Sequence, residues 1–209
     1  MFLGAHPQGV TSTVRTPQQE RSRATQQRLL EATVECLVTH GWAGTTTTLV
    51  AERAGVSRGA QLHHYPTKAT LVMAAVVHLA ERRAAEMRAD AAGLTDVPDR
   101  VGRVVDLLAA AFTGPLFMAA LEVWVAARTD EDLKDALVPL EARIGRDLHR
   151  LAVELLDADE SQPGVREAVQ ATLDLLRGLG VANLLSDDTR RRDQLLAAWK
   201  RQLTHQLER

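Results

Sequence analysis

Residues 45–68 read TTTTLVAERAGVSRGAQLHHYPTK, and the order of apolar, small and hydroxyl residues within them decides the fold. The stretch divides into two short helices, residues 49–54 and 57–64, joined at Gly55, which takes the positive φ of a tight turn without steric cost. Thr46 and Ser57 stand where a side-chain oxygen caps the first and the second helix. Leu49, Val50, Ala54, Val56 and Leu62 are the apolar positions through which such a pair packs on a third helix, and Ala51 is small where the two must approach closely. Outward on the second helix are Ser57, Arg58, Gly59, Ala60, Gln61, His63 and His64. A short face of donors with small residues at its N-terminal end lets backbone come close to another surface, as a helix entering a DNA major groove requires. Thr46, Thr47, Tyr65 and Lys68 flank that face with hydroxyls and a cation suited to phosphates.

Toward the N-terminus, residues 18–40 supply the third helix, with Leu29, Leu30, Thr33, Leu37 and Val38 on one stripe and Gly41 ending it. Residues 1–17, small and polar with Arg15 among them, are expected to form a disordered arm; they lack the basic start and apolar stretch of a secretory signal. Toward the C-terminus, a long helix is expected over residues 67–91, after Pro66. Others are expected to begin near Asp96 (Pro98 in the first turn), Pro115, Asp130, Gly164 and Asp188. Pro139 falls inside the stretch after Asp130 and is expected to kink or split it. Aromatics are only 3% of the chain, and no run alternates with a β period. The class is therefore all-α: a three-helix head over residues 18–66, and a bundle of about six longer helices over residues 67–209.

Composition narrows the function. The 209 residues carry a net charge of −2, but residues 1–70 hold seven Arg and Lys against four Glu, while the remainder holds 18 basic against 23 acidic residues. A basic N-terminal third is a modest pointer to a polyanionic partner. Cys36 is the single cysteine, which excludes an intrachain disulfide and a cysteine-rich metal site and suits a reducing cytoplasm. No apolar run approaches the ~20 residues of a membrane span. Adjacent His63 and His64 point about 100° apart on a helix and have no acid or cysteine at ligand spacing, so no metal is expected. A nucleophile elbow, a phosphate loop, an HExxH run and paired cysteines are all absent, which argues against an enzyme built around His149; no cofactor is expected.

With these residues in place, the segment resembles the DNA-binding head of the TetR family. The resemblance runs over residues 26–72 and rests on Thr46-Thr47, Val50-Ala51, Ala54-Gly55-Val56-Ser57-Arg58-Gly59, His64-Tyr65-Pro66-Thr67-Lys68 and Leu71. It implies a homodimeric regulator, a repressor by expectation, that binds a palindromic DNA operator and is released by a small-molecule effector. It also implies that Thr47, Tyr65 and Lys68 hold phosphates while Thr48, Arg58, Gly59, Ala60 and His63 face base edges. Arg58 is the candidate for a specific contact, since arginine to guanine is the commonest direct readout. The family usually has tyrosine where this chain has Leu62; His63 or His64 are candidate replacements for the missing contact. A helical adaptor or small enzyme of the same fold without an operator is the alternative.

For the body the resemblance implies a pocket in the apolar centre of the chain. Phe112, Phe117, Met118, Leu121 and Trp124 are its candidate wall, with Arg128, Arg143 and His149 as candidate polar anchors. Residues 165–185 are apolar on several faces and must bury more than one of them. The resemblance implies that this helix and the last one pair with their copies across a two-fold axis. The expected contacts are Val169, Leu173, Leu176, Gly180, Leu184, Leu196, Trp199 and Leu203, with Gly178 and Gly180 permitting a close crossing.

Overall fold

The structure, a computed structural model, describes residues 17–94 and 97–208; the expected arm over residues 1–17 and the helix start at Asp96 lie almost wholly or wholly outside them. Among the described residues there are nine helices and no strand. In chain order they are α1 (Pro17–Gly44), α2 (Thr47–Ala54), α3 (Arg58–His64), α4 (Lys68–Ala92) and α5 (Arg100–Ala111), followed by α6 (Pro115–Ala127), α7 (Glu131–Leu156), α8 (Val165–Ala182) and α9 (Thr189–Leu207).

Local chemistry sets most of these boundaries. Gly41 interrupts α1 with φ 64° and ψ −178°, so the long helix gives way to one further turn at the expected glycine. Thr46 accepts from the Leu49 N–H at 3.1 Å, Ser57 from Ala60 at 3.3 Å and Asp130 from Leu133 at 3.0 Å, each satisfying a donor left free at a helix start. Thr67 and Thr70 form a reciprocal capping box at the start of α4. Two expectations change. Asp99 caps α5, so that helix starts after Pro98 and not with it in the first turn. The second concerns α7, which runs as one helix through the exposed Pro139 and is not split there.

Two apolar cores hold the molecule. One joins the head to the body: Leu29, Leu37 and Val50 pack with Leu71 and Val72 of α4, Ala119 and Val123 of α6, and Leu133 and Leu137 of α7. The apolar contacts thus continue across the sequence position of Pro66. The second core lies among α4, α5, α7, α8 and α9, around Met87, Leu108, Leu151, Leu173, Leu176 and Leu203. Val38 was expected on the stripe of α1 but is 44% exposed, one 100° step past the buried Leu37.

Candidate functional site

The head forms as the caps and the turn dictate. Gly55 adopts φ 61°, ψ 40°, and its N–H and that of Val56 return to the last carbonyls of α2, with Val56 N to Ala51 O at 2.9 Å. This Schellman-like closure aims α3 across α2. Ser57, Arg58, Gly59 and His63 are exposed on α3, as are Thr46 and Thr48 beside it, while Ala60 and Thr47 are partly covered. The Arg58 guanidinium makes no hydrogen bond or ion pair to another described residue. A Cβ added to Gly59 would meet nothing within 4 Å, so no contact inside the protomer requires glycine there.

Three expected positions differ. Gln61 was expected outward, yet it is fully buried and donates from Nε2 to the Tyr65 carbonyl at 2.6 Å. Leu62 was expected in the core, yet it is 44% exposed. One 100° step of the helix separates the two, and the long amide can reach the α3 C-terminus, which leaves the leucine outside. His64 is drawn into the head: its Nδ1 lies 3.4 Å from Gln26 Nε2 of α1, leaving His63 as the freely presented histidine.

At the joint between head and body, three elements meet on Trp42. Its N–H donates to Glu122 Oε2 of α6 at 3.1 Å, its carbonyl accepts from Lys68 Nζ at the start of α4, and its ring lies 4.0 Å from that same ammonium. Gly41 is required here, because a Cβ would come within 2.8 Å of Glu122 Oε2 and φ is already positive. Burial pushes the Lys68 pKa down. Lys68, expected at a phosphate, therefore also has a structural partner in its own chain; neither Trp42 nor Glu122 stood out in the sequence.

Behind this joint, between α4, α6 and α7, lies a cavity of about 660 Å³. Phe112, Phe117, Trp124 and Arg143 line it as expected. Met118, Leu121, Arg128 and His149 do not. His149 is buried away from it, with Nε2 2.8 Å from Glu160 Oε1; that bond holds the Glu160 carboxyl below its ordinary range. The wall is instead completed by Val76, Ala80, Ala84 and Met87 of α4 and by Glu141, Ile144 and Leu148 of α7. Their spacing of three and four residues was the signal available in the sequence. Phe112, Phe117 and Trp124 form a chain of near-perpendicular rings, with centroids 5.5 and 6.3 Å apart. Burial pushes the Glu141 pKa up, against the pull of the Trp124 indole and Arg177. Among the described residues no group of three or more His, Cys, Asp or Glu is placed to hold a metal ion.

The expected dimer contacts need a larger correction. Val169, Leu173, Leu176, Gly180, Leu196 and Leu203 are buried in the protomer's own core. Gly180 meets the Phe112 carbonyl so closely that no Cβ fits, so within the protomer its close crossing is with the α5–α6 corner. Trp199 is half-buried and donates from Nε1 to Thr172 of α8 at 2.9 Å. What the protomer leaves open at this end is Val181, Leu184, Leu185 and Leu195, at 44%, 36%, 100% and 38% exposure. Gly178 is also open, with nothing within 4 Å of an added Cβ.

Comparison with known proteins agrees with the head. Residues 29–75 match the family model described as bacterial regulatory proteins, tetR family. The HTH-type transcriptional regulator CymR of Pseudomonas putida is 32% identical over 186 residues, 86% of this chain and 89% of that protein. A solved TetR-family member from Streptomyces coelicolor A3 superposes with a TM-score of 0.64 at 23% identity, covering 85% of this chain and 96% of that one. The multidrug binding protein EbrR, solved in complex with imidazole, superposes with a TM-score of 0.60 at 21% identity over 96% and 97% of the two chains.

Proposed function

The chain belongs to the tetR family of bacterial regulatory proteins and is a transcriptional regulator, and we propose that it is a repressor working as a dimer on a near-palindromic operator, released when a small molecule fills the cavity between α4, α6 and α7. The observation that carries operator binding is the outer face of α3. Arg58 is exposed and uncommitted to any described residue, beside a Gly59 with open space in front of it. A guanidinium so presented reads guanine, and the missing Cβ lets the helix backbone approach the groove. Thr46, Thr47, Thr48, Ser57, Ala60, His63, His64, Tyr65 and Lys68 surround it as phosphate and sugar contacts or groove-facing groups.

Dimerisation supplies the geometry. Two recognition helices fit successive major grooves when about 34–36 Å apart. The open apolar residues at the α8–α9 end, with Leu185 wholly exposed, support pairing through that end. The cavity serves as the effector site because it is large and its inner wall is mostly apolar, with charged residues of α4, α7 and α8 among those that line it. EbrR, a protein of this shape, is a multidrug binding protein solved in complex with imidazole. Coupling runs through α6, which carries Phe117 and Trp124 in the wall and Glu122 on Trp42, and through α4, whose first residue Lys68 meets Trp42 as well. A ligand that favours another spacing of the heads shifts the population from the DNA-competent state.

Selection of bound sequences from a random DNA pool by the purified protein, followed by affinity measurement across salt concentrations, tests the reading. Recovery of a near-palindrome is expected, with log affinity falling linearly with log salt. Arg58→Ala should relax base preference more than overall binding. A pool from which nothing is enriched overturns operator binding.

A further inference from the structure

We propose that the cavity takes a lipophilic cation, an apolar body packed on Phe112, Phe117 and Trp124 with its positive charge beside Glu141. The proposal rests on reading the cavity as the effector site. It starts from the pairing of the charges around the wall. Arg88 is bonded to Glu154 at 2.9 Å, Arg83 to Glu86 at 3.3 Å, Arg177 to Asp174 at 2.6 Å, and Arg150 to Asp147. These groups neutralise one another. Glu81 and Arg143 have no ion pair among the described residues, but both are exposed to solvent. That leaves Glu141, half-buried in the wall and with no ion pair within 4 Å among the described residues.

A carboxylate in that position faces two costs. It has lost part of its hydration, which is why its ionised form is disfavoured. A neutral ligand filling the cavity would remove more of its water and leave the charge uncompensated. An anion would add repulsion, since Arg177, whose charge attracts the Glu141 carboxylate, is itself paired with Asp174. A cation compensates the charge that burial penalises and so tolerates the loss of water. The aromatic groups point the same way. Phe112, Phe117 and Trp124 meet edge to face, at interplanar angles of 78° and 87°, so their electron-rich faces turn in more than one direction around the same end of the cavity. The Arg177 guanidinium already lies 5.9 Å from the Phe112 centroid, the approach a bound cation would make to another of the rings. The Trp124 Nε1–H is buried without a hydrogen bond of ordinary length and favours the ionised form of the acid, which places the ring beside the Glu141 charge.

Two probes of nearly the same size and shape but opposite charge separate the terms: tetraphenylphosphonium and tetraphenylborate. Their affinities for the full-length protein are measured by calorimetry, together with those of Glu141→Gln, which keeps the shape of the side chain and removes its charge. The expected result is that the phosphonium binds at least about tenfold more tightly than the borate, and that Glu141→Gln reduces this ratio to about threefold or less. A borate that binds as tightly as the phosphonium leaves the effector cavity standing and overturns the cation. So does a preference that survives in Glu141→Gln when its melting temperature matches the parent. If neither probe binds, the reading of the cavity as an effector site fails, and the proposal falls with it.

Discussion

Gly59 is a glycine that the protomer does not need. Its backbone is helical, nothing lies within 4 Å of an added Cβ, and glycine costs a helix about 0.5–1 kcal/mol relative to alanine. Gly59→Ala should therefore stabilise the protein by about that amount, raising the melting temperature by a few degrees, while weakening operator binding. Thermal melts and fluorescence anisotropy on the selected operator measure the two effects. A variant that is both more stable and fully active would remove the reason for placing the α3 backbone against DNA. Gln61 and Leu62 carry the complementary lesson. The sequence offers an amide and a leucine in adjacent positions, and hydropathy alone sends the leucine inside. The Gln61 amide is buried because it reaches the Tyr65 carbonyl, a partner created only when α3 ends there.

Among the helices, α6 has the most divided role. One side contributes Phe117, Ala120 and Trp124 to the cavity, and Glu122 accepts the Trp42 N–H at the end of α1. Trp42 in turn holds Lys68 at the first residue of α4. On the proposed mechanism, movement of α6 is passed to the joint on which the head sits. Glu122→Ala is expected to leave ligand affinity in the cavity within about twofold. The ratio of operator affinities with and without ligand should shrink by about 0.5–2 kcal/mol, the range typical of residues that carry coupling between sites. Titrating operator binding at zero and saturating ligand gives this ratio directly. An unchanged ratio would mean that α4 alone transmits the signal. The expected wall of the cavity failed where the residues named on α7 left one stripe: Glu141, Ile144 and Leu148 share it, while His149 turns 100° away toward Glu160.

For the whole molecule, the question is which apolar surface remains once the protomer has folded. Leu173 and Leu176 are 2% exposed, whereas Leu185, in the connection that follows α8, is fully exposed. Leu185→Glu should accordingly leave the melting temperature of the protomer almost unchanged, as surface substitutions generally do. It should convert dimer to monomer in light scattering at micromolar concentration and lower operator affinity by at least about 100-fold, because each head then binds alone. Leu173→Glu should instead unfold the protomer, since it buries an unpaired charge. A Leu185→Glu protein that stays dimeric would move the interface away from this end of the molecule.

The sequence by itself determined where the helices of the head begin and end. Its caps at Thr46 and Ser57, its turn at Gly55 and its interruption at Gly41 are decided by residues within a few positions of one another, and the structure has all four. The all-helical class and most helix starts were legible for the same reason: propensity, capping and proline act locally. Only the tertiary structure decided how the apolar faces of α7, α8 and α9 are shared out. Burial is non-directional and proportional to area, so a helix that is apolar all round does not state which face meets its own body and which stays open. The α5–α6 corner settles it in this chain, because its Phe112 carbonyl packs on Gly180 and draws that side of α8 inward. The charge pairing that leaves the half-buried Glu141 without an ion pair among the described residues was likewise invisible in the sequence, since Arg88 meets Glu154 only across 66 residues of folded chain.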